Sequence, residues 1–199
     1  MPKNNCYGDV VGFSWFRLLA VTVDSYLADS YLVTINLSDS KIMEAVIIVG
    51  KVGSSVEIMV PVDKVFVFLS KLENQEKIFV DSEVKIEDVS TEQVGIGTKY
   101  RISAVIAGRE VKPHWHEVVG FEENRKFVCG EVKGGPTKKE EMTFDFGATS
   151  RGTKVTMTID YEFPYSVLGK LVDKFMARKG FEKWMQGGTQ RAKEILEAT

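Results

Sequence analysis

The chain is poor in the residues that build metal centres, disulfide frameworks and hydrolytic triads. Its 199 residues include two cysteines, Cys6 and Cys129, and two histidines, His114 and His116. Two cysteines outside any C-x-x-C spacing are too few for a disulfide framework, so we expect free thiols in a reducing cytoplasm. No glycine-rich loop opens a helix in the sequence, which excludes the common phosphate-binding motifs.

The sequence also lacks an excess of charge and an apolar run of membrane length. Its 26 basic and 28 acidic residues give a net charge of -2, so we expect no nucleic-acid partner. The apolar stretch at 10–23 contains Arg17 and is shorter than the roughly 20 residues of a membrane span. We therefore expect neither stable membrane insertion nor a secretion signal.

The pattern of apolar and polar residues divides the chain into two segments of unequal length. Residues 1–42 have no clean period, which predicts an N-terminal extension that is loosely ordered or forms short strands. Residues 43–199 are predicted to form the complete domain, which is large enough to bury a sizeable core. Because Met43 opens this segment, a start of translation there is a hypothesis that the intact mass of the natively expressed protein would test.

A strand that passes directly into a helix is predicted near the start of this domain. Apolar residues alternate with polar ones from Ser55 to Val60, which is the period of a strand with one buried face. Pro61 follows, where its fixed φ suits the first turn of a helix, and apolar residues then recur at helical spacing as far as Leu72. We predict one amphipathic helix that ends in the polar run ENQEK and packs on a sheet.

The middle of the chain predicts an antiparallel meander. Turn signals recur at intervals of about 12 to 15 residues: VGIG at 94–97, AGRE at 107–110, EENR at 122–125, GGPT at 134–137 and TSRGT at 149–153. The segments between them are too short for the helical crossovers of a parallel sheet. After Pro164, apolar positions share one face for about 30 residues, which predicts a long C-terminal helix whose glycines mark bends or close contacts.

Three local stretches carry a family resemblance. They are VPVDKVFVFLSKLEN at 60–74, GIGTKYRI at 95–102 and EVVGFEENRKFVC at 117–129, where Arg125 takes the usual place after an acidic turn. On these, residues 54–198 resemble the START/polyketide-cyclase/Bet v 1-like (SRPBCC) superfamily, in its polyketide cyclase or coenzyme Q-binding-like branch. The resemblance implies an α+β helix-grip fold, in which a curved antiparallel β-sheet wraps around a long C-terminal α-helix and encloses an apolar cavity. It implies little about function, because similar domains bind lipids or quinones, cyclise polyketides or activate chaperones.

Alternation along each strand predicts which side chains line that cavity. We expect the ligand-binding set to combine residues of the strands with two of the helix: Tyr100, Ile102, Trp115, Glu117, Phe144, Met157, Ile159, Tyr161, Phe175 and Met176. Ala104, Met142, Phe146 and Val155 are expected on the same face. For any one of these residues, a plain core contact is the simpler interpretation. The KKEE run at 138–141 is interpreted as the solvated side of a strand.

One predicted strand is rich in chemical groups. His114 and His116 share a face and could bind a metal with a neighbouring carboxylate. The alternation that points Trp115 inward points both histidines outward, and two ligands are fewer than the three usual in open zinc sites, so we predict no metal and no cofactor. Glu117 is then a weak candidate for an inward acid, although a salt bridge with an adjacent-strand base such as Arg101 is favoured.

These observations predict a soluble helix-grip protein that binds, and in one version transports, a hydrophobic small molecule such as a lipid, an isoprenoid quinone or a polyketide-like compound. Two alternatives stay open. A cyclase, aromatase or dehydratase would need an inward acid–base pair, such as Glu117 with Tyr100 or Tyr161. An interaction module like the chaperone activators would use an exposed surface instead. The sequence specifies neither the ligand nor the oligomeric state.

Overall fold

The computed structural model describes residues 18–23, 30–37, 45–106, 108–163 and 171–199, and the side chains of residues 50–106, 108–162 and 178–199. Within these ranges the helices are α1 (Val62–Leu69), α2 (Leu72–Ile78) and α3 (Leu171–Glu197). The strands are β1 (Leu18–Val23), β2 (Ser30–Leu37), β3 (Ala45–Ile58), β4 (Lys85–Glu87), β5 (Lys99–Ile106), β6 (Arg109–Glu122), β7 (Lys126–Lys133), β8 (Lys139–Ala148) and β9 (Thr153–Phe163).

The strands form one antiparallel sheet in the order β1-β2-β3-β9-β8-β7-β6-β5-β4. Strands β4 to β9 are neighbours in the sheet in the order of the chain, so the predicted antiparallel meander is confirmed, with six strands. The first long strand, β3, pairs with β9 along its length, from Ile48 opposite Phe163 to Ile58 opposite Thr153. Helix α3 packs against β3, β9 and β5. A sheet that holds a long C-terminal helix in this way is the predicted helix-grip fold.

The strands of the N-terminal segment extend the same sheet. Strand β1 pairs with β2, and β2 pairs with the first part of β3, from Ser30 opposite Gly50 to Ile35 opposite Ala45. The described part of residues 1–42 is therefore hydrogen-bonded to the rest of the domain. Residues 38–44, where the predicted boundary falls, lie outside the described residues, and the division into two segments stays a prediction.

The helix after Pro61 is shorter than predicted. Helix α1 begins directly after Pro61, but Ser70 caps its end, and Lys71 is extended, with ψ of 119°. The run ENQEK forms α2 and is not the solvated end of α1, so the prediction of one helix is wrong. Asn74 in this run is buried and donates a hydrogen bond to the Phe68 carbonyl at 2.9 Å. This bond fixes the corner between the two helices.

Helix α3 runs without interruption for 27 residues. One of its glycines marks a close contact, as predicted, because a Cβ on Gly188 would overlap the Phe79 ring. The same ring lies 4.6 Å from that of Trp184, measured between centroids. Near its end, α3 is tied to β3 by Lys193 Nζ, which donates to the Glu57 carbonyl at 2.6 Å. None of the described helices is both long and apolar enough to cross a membrane.

The inner face of the sheet carries most of the buried apolar residues. Ten residues predicted to face inward are all buried: Tyr100, Ile102, Ala104, Met142, Phe144, Phe146, Val155, Met157, Ile159 and Tyr161. At one end of this face five rings touch one another, and we call them the phenylalanine cluster: Phe66, Phe121, Phe127, Phe144 and Phe146. The Phe66 ring of α1 lies edge-on to two of the others, 5.2 Å from each, so this helix is locked onto the sheet.

Candidate functional site

Strand β6 turns its histidines inward and its tryptophan outward. His114 and His116 are 5% and 3% exposed, whereas Trp115 is 38% exposed. Val118 points to the same side of the strand as the two histidines and is buried, whereas Val119 points to the same side as Trp115 and is exposed. The prediction that Trp115 faces the cavity while the histidines face solvent is therefore wrong. Adjacent valines fit either phase, and the phase follows from the pairing of His116 with the buried Tyr100 of β5, which the sequence of β6 alone does not show.

Glu117 points to the same side of β6 as Trp115, so it is not an inward-facing acid. Its carboxylate forms a salt bridge with Lys99 of the adjacent strand, with 3.7 Å between the charged atoms. An adjacent-strand base was the favoured partner, and that part of the prediction is confirmed. The specific choice of Arg101 is wrong, because Arg101 pairs with two acids at the end of β4. The weak candidate for catalysis is thus a surface ion pair.

A line of polar side chains crosses the inner face instead. Strand pairing sets Tyr100 opposite His116, His116 opposite Glu131, and Glu140 opposite Tyr161. Directly paired residues of antiparallel strands project from the same face, so these side chains form one line across β5 to β9. We call this set the polar row: Tyr100, His114, His116, Glu131, Glu140 and Tyr161. Only its two tyrosines were predicted to line the cavity.

The two histidines of the polar row are hydrogen-bonded to each other. His114 Nδ1 lies 2.9 Å from the Lys112 carbonyl oxygen and must donate to it, which leaves His114 Nε2 as an acceptor. His116 Nε2, 3.0 Å away, is then the donor. This assignment leaves His116 Nδ1 as a bare acceptor, and it has no hydrogen-bond partner among the described residues. Burial, and then the neighbouring His114, lowers the pKa of His116 to about 3, so this imidazole is neutral at pH 7.

The two carboxylates of the polar row differ in their surroundings. Glu131 accepts hydrogen bonds from the Gly135 backbone N–H, at 2.8 Å, and from the Thr137 hydroxyl, so the loop between β7 and β8 wraps around it. A Cβ on Gly135 would overlap the Glu131 carboxylate, which explains a glycine at this position. Burial, and then the charge of Glu131, raises the pKa of Glu140 to about 7.

The inward position of Glu140 corrects the interpretation of the KKEE run. Glu140 lies two residues before Met142 and therefore points to the same face as that buried side chain. The run is thus not simply the solvated side of a strand. Extending the alternation of Met142, Phe144 and Phe146 one step towards the N-terminus would have placed Glu140 correctly.

The tyrosines mark the two ends of the polar row. Tyr100 is fully buried, and its hydroxyl has no hydrogen-bond partner in the described part of the chain other than the weak one offered by the Cys129 thiol. Burial raises the pKa of Tyr100 well above its ordinary value. At the other end, the Tyr161 ring lies across Gly50 of β3 and 4.8 Å from the Phe181 ring of α3. The row therefore reaches the contact between sheet and helix.

The other predicted ligand-binding residues divide into two groups. Ile102, Phe144, Met157 and Ile159 are buried on the inner face, and Phe144 belongs to the phenylalanine cluster. Phe175 and Met176 belong to α3, but their side chains lie outside the described residues. That any of these residues touches a ligand stays a prediction.

A separate open groove of about 540 Å³ lies between the start of α1 and the end of α3. Six apolar residues, two lysines and two uncharged polar residues line it: Met59, Val60, Pro61, Lys64, Val67, Phe68, Lys71, Asn74, Leu196 and Thr199. None of them belongs to the polar row or to the predicted ligand-binding set.

The helix-grip topology agrees with the comparison of this chain with known families. Residues 50–197 match the family described as polyketide cyclase/dehydrase and lipid transport. The chain belongs to this family. Its description joins enzymes and carriers that act on hydrophobic molecules, and it leaves the ligand of an individual member open. No curated protein is significantly similar to the chain in sequence.

Solved structures show the same fold at low sequence identity. The Zhui aromatase/cyclase from Streptomyces sp. R1128 is 17% identical, with a TM-score of 0.62 over 75% of this chain and 94% of that one. A protein from Thermus thermophilus, TTHA0849, is 22% identical, with a TM-score of 0.58 over 73% of this chain and 98% of that one. Major latex-like protein 151 from Panax ginseng is 15% identical, with a TM-score of 0.57 over 74% and 97%. At these identities the likeness supports the fold alone.

Proposed function

We propose that this protein binds a neutral hydrophobic small molecule between the inner face of the sheet and α3, with the polar end of the ligand at the polar row. The observation that carries the proposal is that two polar atoms of this row, the Tyr100 hydroxyl and His116 Nδ1, are buried without a strong hydrogen-bond partner among the described residues. Leaving such atoms unpaired costs about 1 to 3 kcal/mol each. A ligand that hydrogen-bonds to them would offset this cost, while the apolar inner face receives its body.

The chemistry of these two atoms narrows the ligand class. The phenol of Tyr100 can donate to a carbonyl, and His116 Nδ1 can accept from a hydroxyl. Glu131 and Glu140 lie on the same face, so an anionic head group would meet like charge and is disfavoured. A keto- or hydroxyl-bearing molecule, such as a polyketide-like compound or an isoprenoid quinone, therefore fits better than a fatty acid. We also propose a cytoplasmic location, which the free thiol of Cys129 supports.

Native mass spectrometry of the purified protein, followed by analysis of its organic extract, tests the proposal. We expect a neutral co-purified hydrophobe at a stoichiometry near one. Tyr100→Phe should lower the affinity for menadione, a small quinone probe, by about 5- to 100-fold, since one hydrogen bond is lost. Glu117→Gln on the outer face is the matched control and should bind like the wild type. An empty protein that also fails to bind menadione would show that the inner face is not a binding site.

An acid–base enzyme of the cyclase or dehydratase class is the second candidate. Glu117 cannot serve as the acid of this enzyme, because it lies on the outer face. The imidazoles and carboxylates of the polar row face inward and offer other groups for acid–base chemistry. The description of the family, which includes polyketide cyclases and dehydrases, agrees with this version. Incubation with a poly-β-keto thioester separates the candidates, because a carrier returns it unchanged and a cyclase or dehydratase returns a dehydrated or ring-closed product. The interaction-module alternative stays a hypothesis.

A further inference from the structure

We infer that His114, Glu131 and Glu140 form a binding site for a divalent transition-metal ion such as Zn²⁺. One ligand atom from each residue lies within 4.8 Å of the other two. This inference reverses the expectation of no metal, which depended on outward-facing histidines. It goes beyond the proposed ligand binding and does not require it.

The donor set matches the coordination chemistry of these ions. One imidazole nitrogen and two carboxylate oxygens make three protein ligands, the number found in zinc sites that keep a fourth position open. The imidazole favours zinc and its transition-metal neighbours over Mg²⁺ and Ca²⁺, which prefer oxygen ligands alone. The three residues come from β6, β7 and β8, so the sheet itself holds them together.

Two of the three ligands are already oriented by hydrogen bonds. His114 donates through Nδ1 to the Lys112 carbonyl, which directs the lone pair of Nε2 away from that carbonyl and fixes the tautomer that binds metals. Glu131 is oriented by the Gly135 N–H and the Thr137 hydroxyl. Outer partners of this kind are what metal sites use to position their ligands.

An independent observation comes from His116. Its Nε2 lies 3.0 Å from Nε2 of His114, and two nitrogens bound to one tetrahedral zinc ion lie about 3.3 Å apart. His116 is 3% exposed, and its Nδ1 has no partner in the part of the chain that the structure describes. An ion at the site would replace the hydrogen bond between the two rings, and His116 would offer Nε2 as a fourth ligand once its proton has moved from Nε2 to the unpartnered Nδ1.

Electrostatics agree with the site. Two carboxylates brought together on a largely buried face repel each other, and a divalent cation between them would offset both that repulsion and the cost of burial. Glu131 and Glu140 keep some exposure as residues, although the Glu140 carboxylate itself is largely buried.

Titration of the EDTA-treated protein with Co²⁺ and Zn²⁺ tests the inference. We expect one ion per chain, visible Co²⁺ bands typical of tetrahedral coordination, and no thiolate-to-metal charge-transfer band. Glu140→Gln should weaken Zn²⁺ binding, measured by calorimetry, by about 100-fold or more, since loss of an outer partner alone costs 10- to 100-fold. Glu141→Gln makes the same change on the opposite face of β8 and should bind like the wild type.

Circular dichroism shows whether each variant is folded, and His114→Gln replaces Glu140→Gln if the latter is not. Weaker binding in the ligand variant with unchanged binding in Glu141→Gln supports the site. Absence of Co²⁺ bands and of Zn²⁺ heat in the wild type, or equal binding by the ligand and control variants, overturns it. Because no hydrophobic ligand is added, failure here leaves the proposed binding function standing, and failure of menadione binding leaves the metal site standing.

Discussion

The two ends of the sheet's inner face are built from the same strands in opposite ways. Strand β7 contributes Phe127 to the phenylalanine cluster and Glu131 to the polar row, and β8 contributes Phe144 and Glu140. In each strand the two residues are four positions apart, a distance of about 13 Å. One end packs rings edge to face, and the other brings together groups that can carry charge.

One end of the inner face therefore contributes mainly to stability, and the other end carries the groups that are capable of chemistry. The packed rings bury apolar area and add roughly 0.5 to 1.5 kcal/mol for each aromatic pair, so this end holds the domain together. The polar row instead buries the Tyr100 hydroxyl and His116 Nδ1 without strong partners in the described residues, at a cost in stability. Sites that break local folding rules in this way are commonly the functional ones.

The largest loss of stability is expected from a substitution at Phe66, in the phenylalanine cluster. Phe66→Ala removes the ring that joins α1 to two rings of the sheet, and we expect the free energy of unfolding in urea to fall by about 3 to 5 kcal/mol. Val67→Ala, on the exposed side of the same helix, is the control and should cost less than about 1 kcal/mol. Equal losses in the two variants would mean that the phenylalanine cluster is not the stabilising end.

A smaller effect is expected at the boundary of the polar row. A Cβ at position 50 would overlap the Tyr161 ring, so Gly50→Ala must displace that ring and should cost about 1 to 3 kcal/mol in urea denaturation. Gly147→Ala meets only an ordinary contact and should be close to neutral. If Gly50→Ala proves as stable as Gly147→Ala, Tyr161 is not held against β3.

Tyr100→Phe should raise the stability of the protein, whereas the two substitutions above lower it. The substitution removes a buried hydroxyl that lacks a strong partner, and we expect the midpoint of thermal unfolding to rise slightly, by the equivalent of about 1 kcal/mol. The same variant is expected to bind menadione more weakly. Higher stability with lost binding would sharpen the contrast between the two ends, and a loss of stability would show that the hydroxyl is paired in solution.

The smallest effect should be seen at Cys129, which lies between the two ends. Burial raises the pKa of this thiol to about 12, so the reactive thiolate is scarce at neutral and mildly alkaline pH. We expect iodoacetamide to leave Cys129 unlabelled in the folded protein from pH 7 to about pH 9, and to label it once the protein is unfolded in urea. Peptide mapping by mass spectrometry separates it from Cys6. Rapid labelling of the native protein would show that this part of the face is open.

The sequence predicted the parts of the fold that follow from regular periods. The meander, the long last helix and ten inward residues were read correctly because alternation continues undisturbed through β5, β8 and β9. The corner at Ser70 was missed, since the apolar spacing of α1 continues into Leu72 and conceals the break.

The site was predicted less well, and for a physical reason. The valines of β6 fit both phases, and the phase is set by the pairing of His116 with the buried Tyr100 of β5. The meeting of Glu131 with Glu140 depends on how the loop between β7 and β8 folds back, which is a tertiary property. Residues whose role comes from pairing across strands cannot be recognised from their own strand alone.

The pairing of β3 with β9 has a consequence for how the chain reaches this structure. Ile48 and Phe163 are 115 residues apart in the chain, and Ile58 and Thr153 are 95 apart. Contacts between such distant segments are characteristic of domains that fold in milliseconds to seconds and not in microseconds. Until β9 has left the ribosome, β3 and β8 both keep an unpaired edge, so the nascent chain is exposed to misassociation late in synthesis.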